Sequence, residues 1–206
     1  GDLDVDSASA VSFTLTAGSG RTEVTSTGAS EITVDAERIV ADGSDTSYEL
    51  ILDGEGTGAL GTQVENLSAD LDASELDGAL FVTSSGDASV NVLAGASNTS
   101  VDAVGGSGDI TVDAARMGTG QRLIVEGSGD VTADAVGSDI DVYADGTRPD
   151  TTLFEGGLTV NLADGASAVE VFTGVAATRV DGDLDGNGSG DVAIDAGALG
   201  NDTDLT

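Results

Sequence analysis

The stretches GSGDITVDA at 106–114 and GSGDVTADA at 127–135 decide the fold. In each, a Gly/Ser turn and an Asp lead into a run that alternates apolar and polar residues, as in Ile110 and Val112 around Thr111. Alternation with a period of two predicts a strand with one buried face, and the turn formers before it predict a tight corner. A third copy, GSGDVAIDA, stands at 188–196, and looser copies read GASEITVDA at 28–36 and SGDASVNV at 85–92. The acids of this phrase lie 22 (87 to 109), 21 (109 to 130) and 61 (130 to 191) residues apart, close to multiples of 20.

A second phrase keeps the same beat: an apolar residue, Asp-Ala, two variable residues, then an apolar residue. It runs from Val34-Asp35-Ala36 to Ile39, from Leu71-Asp72-Ala73 to Leu76, from Val112-Asp113-Ala114 to Met117 and from Ile194-Asp195-Ala196 to Leu199. Further alternating runs, such as Phe13 with Leu15, Val90 with Val92 and Leu158 with Val160, fill the rest of the chain. A period near 20 with two or three short strands per period predicts an all-β, parallel β-solenoid, a β-helix or β-roll. Residues 1–206 are expected to form one elongated stack of roughly ten coils of about 20 residues, about 50 Å long at about 4.8 Å per strand. An antiparallel sandwich also uses strands every 8–12 residues, but it does not require phrases to recur at one period.

Composition narrows the functions. The chain carries 38 Asp and Glu against six Arg, for a formal net charge of −32, and contains no Lys, His, Cys or Trp. Such a surface repels nucleic acid and anionic lipid, and its natural partners are cations. Residues of the apolar classes make up 39% of the chain, enough for a core. No run approaches the roughly 18 apolar residues of a membrane span. The missing Cys excludes a disulfide scaffold and a thiolate metal site. The missing His, Cys and Lys remove the usual acid–base and nucleophilic groups, so the chain is not expected to be an enzyme. A β-helix polysaccharide-active enzyme working through paired carboxylates is the enzymatic alternative, but no pair stands out. The six aromatics, Phe13, Tyr48, Phe81, Tyr143, Phe154 and Phe172, read as core or stacking fillers.

The phrases LDASELDGALFV at 71–82, VDAARMGTGQRLIV at 112–125 and IDAGALGNDTDLT at 194–206 resemble bacterial strand-repeat surface proteins related to RTX proteins, found in surface layers and giant adhesins. The resemblance implies a parallel β-helix or β-roll, export to the cell surface or exterior, and calcium as a structural ion. The chain departs from the RTX calcium repeat in one respect: GGxGxDx does not recur, and Gly105-Gly106-Ser107-Gly108-Asp109-Ile110 has its glycines with the acid misplaced.

The strongest local metal motif is DGDLDGNGSGD at 181–191. Asp181, Asp183 and Asp185 followed by Gly186 match the opening of an EF-hand-type calcium loop, which needs oxygens at alternate positions and a turn. Asn187 and Asp191 offer further oxygens, although the twelfth position is Val192 rather than Glu. Asp2, Asp4 and Asp6 alternate with Leu3 and Val5, which places three carboxylates on one strand face. Four of the six Asn residues, Asn66, Asn98, Asn187 and Asn201, stand in N-x-S/T sequons, the pattern of a glycosylated surface protein.

Both ends read as open strand phrases, with Gly1 to Asp6 at one side and Ile194 to Thr206 at the other. A chain that starts without Met inside such a phrase reads as a segment of a longer protein or as a stacking unit. The expected partners are copies of itself or flanking repeats, head to tail, together with cations. The expected function is an extracellular structural protein of a surface layer, sheath or filament, with a spacer or binding module of a giant adhesin as the alternative.

Overall fold

The computed structural model describes residues 2–8, 12–26, 31–39, 49–54, 61–84, 89–103, 108–118, 120–127, 129–136, 141–143, 158–162, 169–172, 178–181, 192–195 and 205–206. Among them all regular structure is strand. One sheet contains, in spatial order, β1 (Leu3–Ser7), β3 (Thr22–Ser26), β5 (Leu50–Gly54), β7 (Leu71–Leu76), β9 (Val90–Leu93), β11 (Ile110–Asp113), β13 (Val131–Val136), β15 (Leu158–Leu162) and β17 (Thr178–Asp181). The other contains β2 (Phe13–Thr16), β4 (Ile32–Asp35), β6 (Thr62–Leu67), β8 (Leu80–Ser84), β10 (Thr99–Ala103), β12 (Arg122–Gly127), β14 (Asp141–Tyr143), β16 (Val169–Phe172) and β18 (Val192–Asp195). Every pairing within both sheets is parallel. The chain therefore alternates between the sheets and climbs one strand at each visit, which makes a two-sided β-solenoid and excludes the sandwich.

The uniform coil of about 20 residues, repeated ten times, is not what the chain makes. Each sheet has nine strands, about 40 Å from first to last at the usual strand spacing. The register step ranges from 17 residues, between Leu67 and Ser84, to 30, between Ile32 and Thr62. The surplus falls in connections and leaves the strands aligned. The free energy of closing a loop grows only with the logarithm of its length, so added residues at a corner cost little while the strands stay stacked.

Strand parity matches the alternation. In β4 Ile32 and Val34 are buried and Thr33 and Asp35 are not; β11 repeats this with Ile110 and Val112 against Thr111 and Asp113. The core is a set of columns rather than a ball. Val34, Val64, Val82, Val101 and Val125 stack in register along the second sheet, each 0–1% exposed. A β-branched side chain fits a pleated surface that is covered on one face.

The Asp-Ala phrase is a corner after β4 and β11 and a bulge within β7. Asp35, Asp72 and Asp113 each accept, through Oδ1, the backbone N–H two residues on, at 3.2, 3.0 and 2.9 Å. These are Asx-turns, a geometry that short acidic side chains favour. The Ala that follows is fully buried in all three, and Ile39 and Met117 donate their N–H groups back to the carbonyls of Ala36 and Ala114. The phrase thus turns the chain after β4 and β11, kinks it within β7, and in each case drops its closing apolar residue, Ile39, Leu76 or Met117, into the core.

Three inward hydroxyls, those of Thr22, Thr62 and Thr178, make no hydrogen bond although these residues are 0–1% exposed. Thr62 sits between Ile32 and Leu80 in one core column. A buried, unsatisfied hydroxyl costs about 1–3 kcal/mol relative to an apolar group of the same shape. Thr62→Val is expected to stabilise the protein by about 1 kcal/mol in urea denaturation; a loss of stability would show that the hydroxyl has a partner.

Candidate functional surface

The acid of GSGD lies immediately before a strand and ties one rung to the next. Asp109 donates its N–H to Ser89 Oγ at 3.2 Å, and its Oδ1 accepts the Asp130 N–H at 3.1 Å. Two strands earlier, Asp70 donates its N–H to Glu49 Oε2 at 3.2 Å and accepts the Asn91 N–H and Nδ2 at 3.2 and 3.0 Å. These residues precede or open β5, β7, β9, β11 and β13, so polar side chains run up one margin of the first sheet. Across on the second sheet, Asn98 Oδ1 accepts the Arg122 N–H at 2.8 Å. An Asp or Asn side chain spans one rung, which gives the GSGD and N-x-S/T positions a structural use.

The outward residues stack like charges. Register places Asp4 beside Glu23, Asp35 beside Glu65, Asp53 beside Glu75 and Asp113 beside Asp134. None of these eight residues is buried. The backbone register adds Asp102 beside Glu126 and Asp141 beside Glu170. Directly opposed like charges destabilise a sheet unless cations reduce their repulsion. Two exposed ion pairs relieve part of it: Arg21 with Glu23 and Arg116 with Glu75, each at 2.9 Å. Both are exposed enough that water screens most of their attraction.

Among the described residues no three acidic side chains converge as a metal cage. Of the calcium-loop residues, Asp181 closes β17 and stands beside Asn161 of β15 in the backbone register. Asp183, Asp185, Asn187 and Asp191 lie outside the described residues. Asp4 and Asp6 both face outward from β1, on the shared strand face that alternation predicted.

Asn66 of the first sequon has φ of 61° at a bulge in β6, and its Nδ2 donates to Asp35 Oδ1 at 3.3 Å. Asn tolerates this left-handed conformation better than most residues. Asn98 is exposed, while Asn187 and Asn201 lie outside the described residues. Among the aromatics read as core or stacking fillers, Phe81 is not a core filler: it points outward, 37% exposed, in the middle of β8. The signal was in its neighbours, because inward Leu80 and Val82 require residue 81 to face solvent. Among the described residues no helix is long and apolar enough to cross a membrane. No protein-family model matches the chain, and no curated protein or solved structure is matched by it.

Proposed function

We propose that the chain is an extracellular structural protein that stacks head to tail into a surface layer, sheath or filament, with cations such as calcium between its carboxylate rows. The observation that carries this reading is the parallel sense of both sheets. A parallel stack has two different ends, and the open edge of β1 and β2 is complementary to the open edge beyond β17 and β18. Leu205 already extends this end by bridging Thr178 in parallel, and the Thr206 N–H donates to the Thr178 carbonyl at 3.1 Å.

Apolar exposure at both ends supports the same reading. Leu3, Val5, Phe13 and Leu15 are only half-buried, whereas their in-register neighbours Val24, Ile32 and Val34 are 0–1% exposed. At the other end Ile194 and Leu205 are 36% and 43% exposed. A further rung, from another copy or from flanking repeats, buries them. A head-to-tail contact does not close on itself and propagates as a filament. The acidic faces then need cations to lie side by side. The reading is non-enzymatic and places the protein at the cell surface or outside the cell. A binding module of a giant secreted adhesin is the second reading, favoured by the outward Phe81.

Negative-stain imaging of the purified chain with and without calcium tests the proposal. Regular filaments or sheets are expected in calcium; isolated short particles in both conditions at high protein concentration would contradict it.

A further inference from the structure

One outer register column of the second sheet differs from its neighbours. In order along the stack it reads Thr14, Thr33, Gln63, Phe81, Ser100 and Ile124. Tyr143 and Phe172 hold the next two positions of the same backbone register. Half of the chain's six aromatics thus fall in a single column. The adjacent outer columns hold Thr83 and Asp102 on one side and Arg122 on the other.

Two open depressions of about 190 Å³ each lie along this column. One takes in Thr14, Thr33 and Gln63 with Glu31 at its margin; the other takes in Phe81, Ser100 and Ile124 with Asn98 and Arg122. They share no lining residue, but they meet in register where Gln63 stands beside Phe81, so together they follow the stacking direction across six strands. Phe81 is exposed in mid-sheet, unlike Ile194 and Leu205, whose exposure belongs to an open end.

The chemistry of the track selects its occupant. Hydroxyl and carboxamide groups from Thr14, Thr33, Gln63 and Asn98 offer both donors and acceptors. An aromatic ring offers a flat apolar face for the C–H face of a sugar ring, and a few placed polar groups beside apolar surface set its orientation. The net charge of −32 repels polyanions, and a second copy of the chain would bring the same charge to the face. A track that crosses rungs and is open along its length suits an extended polymer. We propose that the outer face of the second sheet binds an unbranched, uncharged polysaccharide lying along the stacking axis. This binding needs only one copy of the chain and does not rest on assembly.

Affinity electrophoresis of the calcium-free protein through gels containing hydroxyethyl cellulose, glucomannan or dextran tests the assignment, with alginate as the anionic control. At least one neutral polymer is expected to retard the protein, and alginate is not. Phe81→Ala is expected to weaken that retardation about tenfold at an unchanged melting temperature, because the side chain lies outside the core. Phe81→Trp is expected to retain it. The assignment is overturned if no neutral polymer retards the protein, if alginate retards it equally, or if Phe81→Ala leaves retardation unchanged. It is also overturned if Phe81→Ala acts by dissociating a dimer, as read by sedimentation.

Discussion

Gly54→Ala is expected to lower the unfolding free energy by about 3 kcal/mol or more, with the loss visible as a shifted urea midpoint. Gly54 ends β5 with φ of 121°, a conformation that side-chain-bearing residues rarely adopt. It pairs with Ser26 of β3, and a Cβ at this position would fall on the Ser26 backbone carbonyl. Its own carbonyl accepts the Asp77 N–H at 2.9 Å, so the backbone is held from the next rung as well. Relief requires β3, β5 and β7 to separate, and parallel strands in a stack separate only by losing ladder bonds. Gly120, with φ of 74° and open space around its missing Cβ, is the control. Gly120→Ala carries backbone strain alone and is expected to cost about 1 kcal/mol. Equal small losses at both positions would show that the stack yields around residue 54.

The melting temperature is expected to rise by about 10 °C or more between 0.01 M and 1 M sodium chloride. Two unit charges about 5 Å apart repel by about 0.8 kcal/mol in water and by about 3 kcal/mol at an effective dielectric constant of 20. Register sets carboxylates beside carboxylates at Asp4 and Glu23, Asp35 and Glu65, Asp53 and Glu75, and Asp113 and Asp134. The Debye length falls from about 30 Å to about 3 Å across that salt range, so repulsion between rungs goes from open to largely screened. Each kcal/mol moves the midpoint of a chain of this size by about 2–4 °C. Asp113→Asn keeps the Oδ1 acceptor for the Ala115 N–H while removing one charge of a stacked pair. It is therefore expected to raise stability at low salt and to flatten the salt dependence. A melting temperature that is level or falling with salt would show that the stacked carboxylates do not oppose folding.

The parallel solenoid was legible because its two phrases are physical devices with short-range signatures. The Asp109 side chain reaches one strand spacing to the Asp130 N–H and so fixes successive rungs, and the positions of these acids in the chain carry the period. Asp35 and Asp113 turn corners by Asx geometry, and Asp72 uses the same geometry at a bulge within β7, so their local sequence carries the device. Coil length was not legible, because a connection such as the one between Asp35 and Leu50 changes length without disturbing Thr22 beside Leu50. The outer column of Phe81 and Ile124 needed the register as well as the sequence: 43 residues separate the two, and only the pairing through Ser100 aligns them. The acidic loop at 181–191 was found by local spacing alone, and beyond Asp181 it lies outside the described residues.

Head-to-tail stacking is tested most directly by sedimentation velocity in calcium, comparing the native chain with one whose open β1 edge is blocked. The Leu3 N–H donates to the Arg21 carbonyl, so alternation along β1 directs the Asp4 and Asp6 N–H groups to the open edge. Asp4→Pro with Asp6→Pro removes those two donors and leaves the β1 to β3 ladder its own. The native chain is expected to sediment as species that grow with protein concentration, and the blocked chain as a monomer with an unchanged strand signal in circular dichroism. A native chain that stays strictly monomeric in calcium, or a blocked chain that assembles as well as the native one, would contradict the stacking account.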